Sequence, residues 1–225
     1  MVREIRNYSN GDRYEGELRG EIREGQGLYI FANGNRYDGH WKNDTFDGKG
    51  VFTWKDGSKY DGNWKNGKKD GKGVYTTING NKYDGNWSND NFDGKGSFFW
   101  NDGCKYEGEF KQNKYNGNGV FTWNVGTKFD GKWHEGKKTG NGKLFINTGS
   151  RYEGEFKNDQ IEGRGIYFFN NGERYEGQFK ENNLNGNGIY FFNNGEKTEG
   201  KFSKNVACDV HTRRLANGQV QKITY

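Results

Sequence analysis

Residues 60–82 read YDGNWKNGKKDGKGVYTTINGNK, and residues 83–105 read YDGNWSNDNFDGKGSFFWNDGCK. Laid over one another they agree in an aromatic-acidic-glycine triplet at the start, a Gly-x-Gly in the middle and a glycine near the end. The triplet returns every 23 residues without an insertion, at Tyr14, Tyr37, Tyr60, Tyr83, Tyr106, Phe129, Tyr152 and Tyr175, and in degraded form at Thr198. Gly-x-Gly keeps the same phase from Gly25/Gly27 to Gly186/Gly188, and the third mark runs from Gly11 to Gly218. Only Gly20, Gly67 and Gly136 of the 38 glycines fall outside these marks. Three marks held in register over so many copies define a repeat architecture, which random glycine-rich sequence would not do.

Each repeat reads as two strands. In Tyr60-Asp61-Gly62-Asn63-Trp64 the rings fall on one face and the polar side chains on the other, as strand geometry requires. A second run, Gly73-Val74-Tyr75-Thr76-Thr77, has β-branched and aromatic composition and is followed by Asn79-Gly80, a turn signal that predicts tight type I′ hairpins. The unit is too short for a helical crossover, so successive hairpins should pair side by side. The expectation is an all-β, single-layer, elongated and twisted antiparallel meander: a solenoid of β-hairpins with roughly 17–18 strands, on the order of 80 Å long. Residues 1–13 form an N-terminal partial repeat or cap, 14–197 eight complete repeats, and 198–225 a degraded ninth repeat with a C-terminal cap or tail.

Composition supports ordered packing of an unusual kind. Only 29% of the chain is apolar, yet 17% is aromatic, and each ring hides roughly 150–250 Å². The rings concentrate in four columns: Tyr14 to Tyr175; the Trp/Phe positions from Trp41 to Phe202; the positions of Tyr29, Phe52 and Tyr75; and those two residues later, such as Trp54. On the other face Lys or Arg precedes each triplet and Asp or Glu follows its ring, as in Lys59 and Asp61, giving a ladder of alternating charge. Of the net +5, residues 201–225 carry +4, so the repeats are nearly balanced.

Tyr-Asp/Glu-Gly-x-Trp/Phe followed by Gly-x-Gly-Val/Ile-Phe/Tyr at this spacing resembles the MORN repeat (membrane occupation and recognition nexus). The resemblance covers residues 10–206, with Leu18, Leu144, Ile146 and Thr198 as departures. It implies a rod or trough that binds protein segments at cytoskeletal or cortical structures, and in some relatives contacts phosphoinositide membranes. It implies no activity of its own, since in the family catalysis comes from an appended domain such as a lipid kinase or lysine methyltransferase, and about 20 residues follow the repeats.

The chemistry-bearing motifs agree with a non-catalytic reading. Gly-x-Gly here lacks the strand-turn-helix setting of a dinucleotide site. The Asp-Gly-Lys-Gly stretches lack the spaced carboxylates of a calcium loop, and His40, His134, His211, Cys104 and Cys208 lack zinc-ligand spacing. No catalytic residue, metal site or cofactor is expected, nor nucleic-acid binding by so neutral an array. The candidate protein-binding groove is Tyr37, Trp41, Tyr60, Trp64, Tyr83, Trp87, Tyr106, Phe110 and Trp133, serving both as packing and as lining for a peptide or helix. The alternative is a peripheral phosphoinositide-binding module acting through Lys201, Lys204, Arg213 and Arg214. Apolar tail positions such as Val210, Leu215, Val220, Ile223 and Tyr225 either cap the last hairpin or support self-association. No run approaches the ~20 apolar residues of a membrane span and none reads as a signal peptide. The expected location is cytoplasmic, at the cytoskeleton- or membrane-associated periphery.

Overall fold

The computed structural model describes residues 1–225 and contains strands and turns but no helix. Two units divide it, Met1–Lys114 and Tyr115–Tyr225. The first holds β1 (Val2–Asn7), β2 (Arg13–Arg19), β3 (Ile22–Ile30), β4 (Arg36–Lys42), β5 (Thr45–Thr53), β6 (Lys59–Lys65), β7 (Lys68–Thr76), β8 (Lys82–Ser88), β9 (Asn91–Phe99) and β10 (Lys105–Lys111). The second holds β11 (Lys114–Thr122), β12 (Lys128–His134), β13 (Lys137–Phe145), β14 (Arg151–Lys157), β15 (Gln160–Phe168), β16 (Arg174–Lys180), β17 (Asn183–Phe191), β18 (Lys197–Ser203), β19 (Val206–Arg214) and β20 (Val220–Thr224). Within each unit every strand pairs antiparallel with the next, a meander of seven- and nine-residue strands apart from the six-residue β1 and the five-residue β20. The strands number 20, more than the roughly 17–18 expected. At the ends, β1 pairs along β2 and β20 along β19, where repeat marks are absent.

The core is a single face of rings. Tyr14, Tyr37, Tyr60, Tyr83, Tyr106, Phe129, Tyr152 and Tyr175 are each 0% exposed. Each ring lies flat across two paired glycines: Tyr60 covers Gly62 and Gly73, which face one another across the ladder. A Cβ at Gly62 would stand 2.5 Å from the Gly73 Cα and 2.5 Å from the Tyr60 hydroxyl oxygen, so no larger residue fits without displacing backbone. The hydroxyl then turns back to its own strand, donating to the carbonyl three residues on: Tyr60 to Asn63 at 2.9 Å, Tyr83 to Asn86 at 2.7 Å. Thus the buried phenol keeps its hydrogen bond.

The first glycine of Gly-x-Gly has a different task. Gly39 pairs with Gly50 but Trp41 pairs with Phe46, leaving extra residues on β5 and a bulge. Gly48 sits in that bulge at φ +96°, a conformation that suits glycine. The tryptophan on the far side of the bulge bridges to the preceding repeat, with Trp64 Nε1 donating to the Gly50 carbonyl at 3.1 Å.

The Asn-Gly turns are not of the type I′ expected from the sequence. At Asn33-Gly34 the Gly34 amide donates to the Phe31 carbonyl, the Phe31 amide to the Asn35 carbonyl, and of the three loop residues only Gly34 has positive φ. This is a three-residue type I turn with a glycine bulge, because the loop holds one residue more than a type I′ turn accepts. The type I′ turns lie at the other end of the repeat. Asn43-Asp44, Asn66-Gly67, Asn89-Asp90 and Gln112-Asn113 in the first unit have both residues at positive φ, as have Glu135-Gly136, Asn158-Asp159, Glu181-Asn182 and Lys204-Asn205 in the second. Gly67 and Gly136, two of the glycines outside the repeat marks, occupy such turns.

Candidate functional site

Above the buried tyrosines the ring face continues outward. In the first unit ring contacts form an unbroken chain: Tyr29–Phe31 at 4.7 Å between centroids, Phe31–Phe52 at 5.8 Å, Phe52–Trp54 at 4.7 Å and Trp54–Tyr75 at 5.5 Å. The second unit repeats the pattern with Tyr167–Phe169 at 4.7 Å, Phe169–Tyr190 at 5.5 Å and Tyr190–Phe192 at 4.9 Å. Except for buried Tyr29, these rings are only half-buried.

The nine residues singled out from the sequence lie beneath this strip. Tyr37, Tyr60, Tyr83 and Tyr106 are wholly buried, and Trp41, Trp64, Trp87, Phe110 and Trp133 show no more than 6% of their surface. They pack edge to face on one another, as Tyr60 does with Trp64 at 5.0 Å and Trp87 at 5.1 Å. They are therefore the floor, and the ring surface open to a ligand belongs to the two outer columns. Those columns were visible as 23-residue periodicities; what the periodicity alone did not reveal is which of four rings per repeat is covered by the others.

One position on this face is basic in three repeats and apolar or aromatic in the other five: Arg23, Phe46, Lys69, Phe92, Tyr115, Lys138, Ile161 and Leu184. Lys69 Nζ sits among four rings, 4.7 Å from Trp87, 5.2 Å from Tyr75, 5.5 Å from Trp54 and 5.6 Å from Tyr60. Arg23 stacks over Trp41 at 4.3 Å, and Lys138 lies 5.6 Å from Trp123. Burial pulls the Lys69 and Lys138 ammonium groups down from the ordinary lysine range, while Asp90 and Asp159 act in the opposite direction.

Those aspartates occupy the type I′ turn one repeat later, and their side chains grip the earlier strand. Asp90 Oδ1 accepts the Lys69 amide at 2.9 Å while the Asp90 amide donates to the Lys69 carbonyl at 3.0 Å. The same clamp joins Asp44 to Arg23 and Asp159 to Lys138. Where the gripped residue is apolar the turn residue is neutral: Gly67 follows Phe46, Asn113 Phe92, Gly136 Tyr115, Asn182 Ile161 and Asn205 Leu184. Cation and carboxylate thus travel together through the repeats: the exposed aspartate offsets part of what the ammonium loses by burial among the rings. Lys69→Leu combined with Asp90→Asn should cost less stability than the two single losses added together, with a coupling of about 0.5–1 kcal/mol that shrinks as salt rises. Urea titrations of the four proteins measure this, and purely additive losses would refute it.

The basic residues of the tail are not brought together. Arg213 pairs with Glu196 and lies 5.7 Å from the Phe192 ring, while Lys201 faces Asp209 at 3.7 Å. Arg214 follows Arg213 in β19 and so points to the opposite face, and Lys204 occupies a turn at φ 46°. The ninth repeat closes by exchanging roles. Thr198 stands where other repeats have tyrosine, and His211, standing where they have the second glycine of Gly-x-Gly, lays its ring over Gly200. His211 is 0% exposed, with Nε2 at 2.7 Å from the Lys201 carbonyl and edge contacts to Phe202 and Tyr225, both at 5.0 Å. Val206, Val210, Val220 and Tyr225 remain more than half exposed.

A one-layer meander of hairpins, with a ring floor, an outer ring strip and a charged back, defines a β-hairpin repeat protein. The chain belongs to the MORN-repeat family, whose repeat matches eight consecutive times, at residues 14–36, 37–59, 60–82, 83–105, 106–128, 129–151, 152–174 and 175–197. No curated protein matches it. Among solved structures it is similar to the TCP10 domain of Danio rerio CPAP in complex with a peptide of Danio rerio STIL. The identity is 12%, over 99% of this chain and 94% of that one, with a TM-score of 0.47. It is also similar to the Drosophila melanogaster SAS-4 TCP domain in complex with a proline-rich motif of Ana2, at 10% identity over 99% and 90% of the two chains and a TM-score of 0.30. At these identities and scores the likeness says nothing of what this chain binds.

Proposed function

We propose that this protein is a non-catalytic scaffold that holds a segment of another protein along its outer ring strip, at a cytoskeletal or cortical structure. One observation carries the reading: above a fully packed floor, each unit keeps a continuous row of half-buried rings. Rings that are partly accessible, rigid and backed by packed neighbours are the residues that anchor protein interfaces. The family supports a binding role, and the location follows from what that family implies. Partners captured by the wild-type chain should be lost with Trp54→Ala and Tyr190→Ala and kept with Lys201→Ala/Arg214→Ala, each variant showing an unchanged β-sheet circular dichroism spectrum. Partners retained by the ring variants, or attachment to phosphoinositide vesicles that depends on the basic residues, would overturn the proposal.

A further inference from the structure

The second unit contains a cavity of about 430 Å³ walled by Tyr167, Phe169, Phe179, Leu184 and Tyr190, with the neutral amides of Asn182 and Asn205 completing its lining. Its origin is legible by comparison with the same positions five repeats earlier. There Trp54 stands for Phe169, Trp64 for Phe179, Lys69 for Leu184 and Asp90 for Asn205. In the earlier repeat the lysine side chain lies among the rings and fills the space from within. In the later one three side chains are smaller, and the space stays open. The clamp has changed with it: Asn205 Oδ1 accepts the Leu184 amide at 2.8 Å, so the geometry is kept and the negative charge is gone. The Tyr190 hydroxyl is engaged by Glu173 at 2.6 Å, which ties that carboxylate to the phenol.

From this we infer that the Leu184 cavity is a side-chain pocket for an uncharged apolar residue of a partner segment, whereas the Lys69 and Lys138 positions are filled by the chain's own cations. The guest's chemistry follows from the repeats themselves. Wherever a cation occupies the ring cage an aspartate clamps its backbone; at Leu184 the clamp is an amide and the Glu173 carboxylate is already held by the Tyr190 hydroxyl, so a cation would enter without the aspartate that accompanies it elsewhere. An apolar guest needs none and gains from covering leucine and four rings. Such a pocket fixes the register of a segment lying along the ring strip, and in that respect it rests on the scaffold reading.

Side-chain analogues test the pocket without a partner. In methyl and aromatic NMR of the full chain, 3-methylbutanol should shift Leu184 and Tyr190 resonances and show contacts to the Leu184 methyls, and butylammonium should not. Leu184→Lys with Asn205→Asp, which copies a pairing the scaffold already uses, should abolish the response to 3-methylbutanol while leaving the remaining spectrum in place. Equal shifts with butylammonium, no response at Leu184, or an undiminished response in the double variant would each overturn the inference. A captured partner that binds the double variant as tightly as wild type would overturn it too, while leaving the ring-strip reading intact; the expected loss of affinity is roughly tenfold, the scale of one buried apolar side chain. Conversely, partners that ignore both Trp54→Ala and Tyr190→Ala would overturn the scaffold reading and, because Tyr190 walls the cavity, the partner pocket with it.

Discussion

Tyr60→Ala should destabilise the first unit by about 3–5 kcal/mol, the scale of removing a buried aromatic side chain. The ring is 0% exposed, covers Gly62 and Gly73, and meets Trp64 and Trp87 edge to face. Neither glycine has a side chain that could move into the vacated space, so the cavity would persist. Removal also strips the Asn63 carbonyl of the hydroxyl that donates to it at 2.9 Å. Tyr60→Phe separates the two contributions, since it keeps the ring and loses only the hydrogen bond, a loss of about 1 kcal/mol. Phe129 shows that the scaffold accepts a phenylalanine in this column, fully buried over Gly131 and Gly142. Urea unfolding of both variants measures the difference. A Tyr60→Ala loss no larger than that of Tyr60→Phe would show that the ring does not hold the hairpins together.

Alkaline pH should unfold the protein, because the column that forms the core is made of phenols at every position but Phe129. Burial pushes the Tyr14 and Tyr175 hydroxyls up to about 12, and it drives Tyr37, Tyr60, Tyr83 and Tyr152 in the same direction. In an unfolded chain a tyrosine ionises near 10. The folded state therefore binds more protons than the unfolded state once pH exceeds about 10, and stability falls with rising pH from there through about 12. Below about pH 10 these groups are neutral in both states and their contribution is fully present. Because the same group recurs along the chain, the losses accumulate and the transition should be steep. Tyrosinate absorbance and circular dichroism should change together. Reversible ionisation of every tyrosine near pH 10 with the sheet intact would refute the prediction.

How much of this was written in the residues differs between fold and site. The 23-residue period, the alternation of rings with polar groups and the glycine marks specify antiparallel hairpins by local rules: side-chain alternation, turn chemistry and the absence of room for a crossover. The same marks identified the family. The turn types were misassigned because Asn-Gly serves both a two-residue loop and a three-residue one, and only the backbone hydrogen bonds of Phe31 and Gly34 distinguish them. The strands β1 and β20 carry no repeat mark and join the sheet by pairing with an edge that a neighbour provides.

The sequence by itself determined that one face would be aromatic, that its rings would recur in columns 23 residues apart, and that charge on the other face would nearly cancel. Only the tertiary structure decided which rings are covered. Tyr60 and Trp64 are sealed, whereas Trp54 and Tyr75, no less aromatic, remain half open. The reason is that burial depends on what the neighbouring repeats place above a ring, a contact that spans the period. Likewise Lys69 and Leu184 occupy the same repeat position, but whether that position is filled or open depends on the ring sizes and the clamp supplied by the repeats on either side.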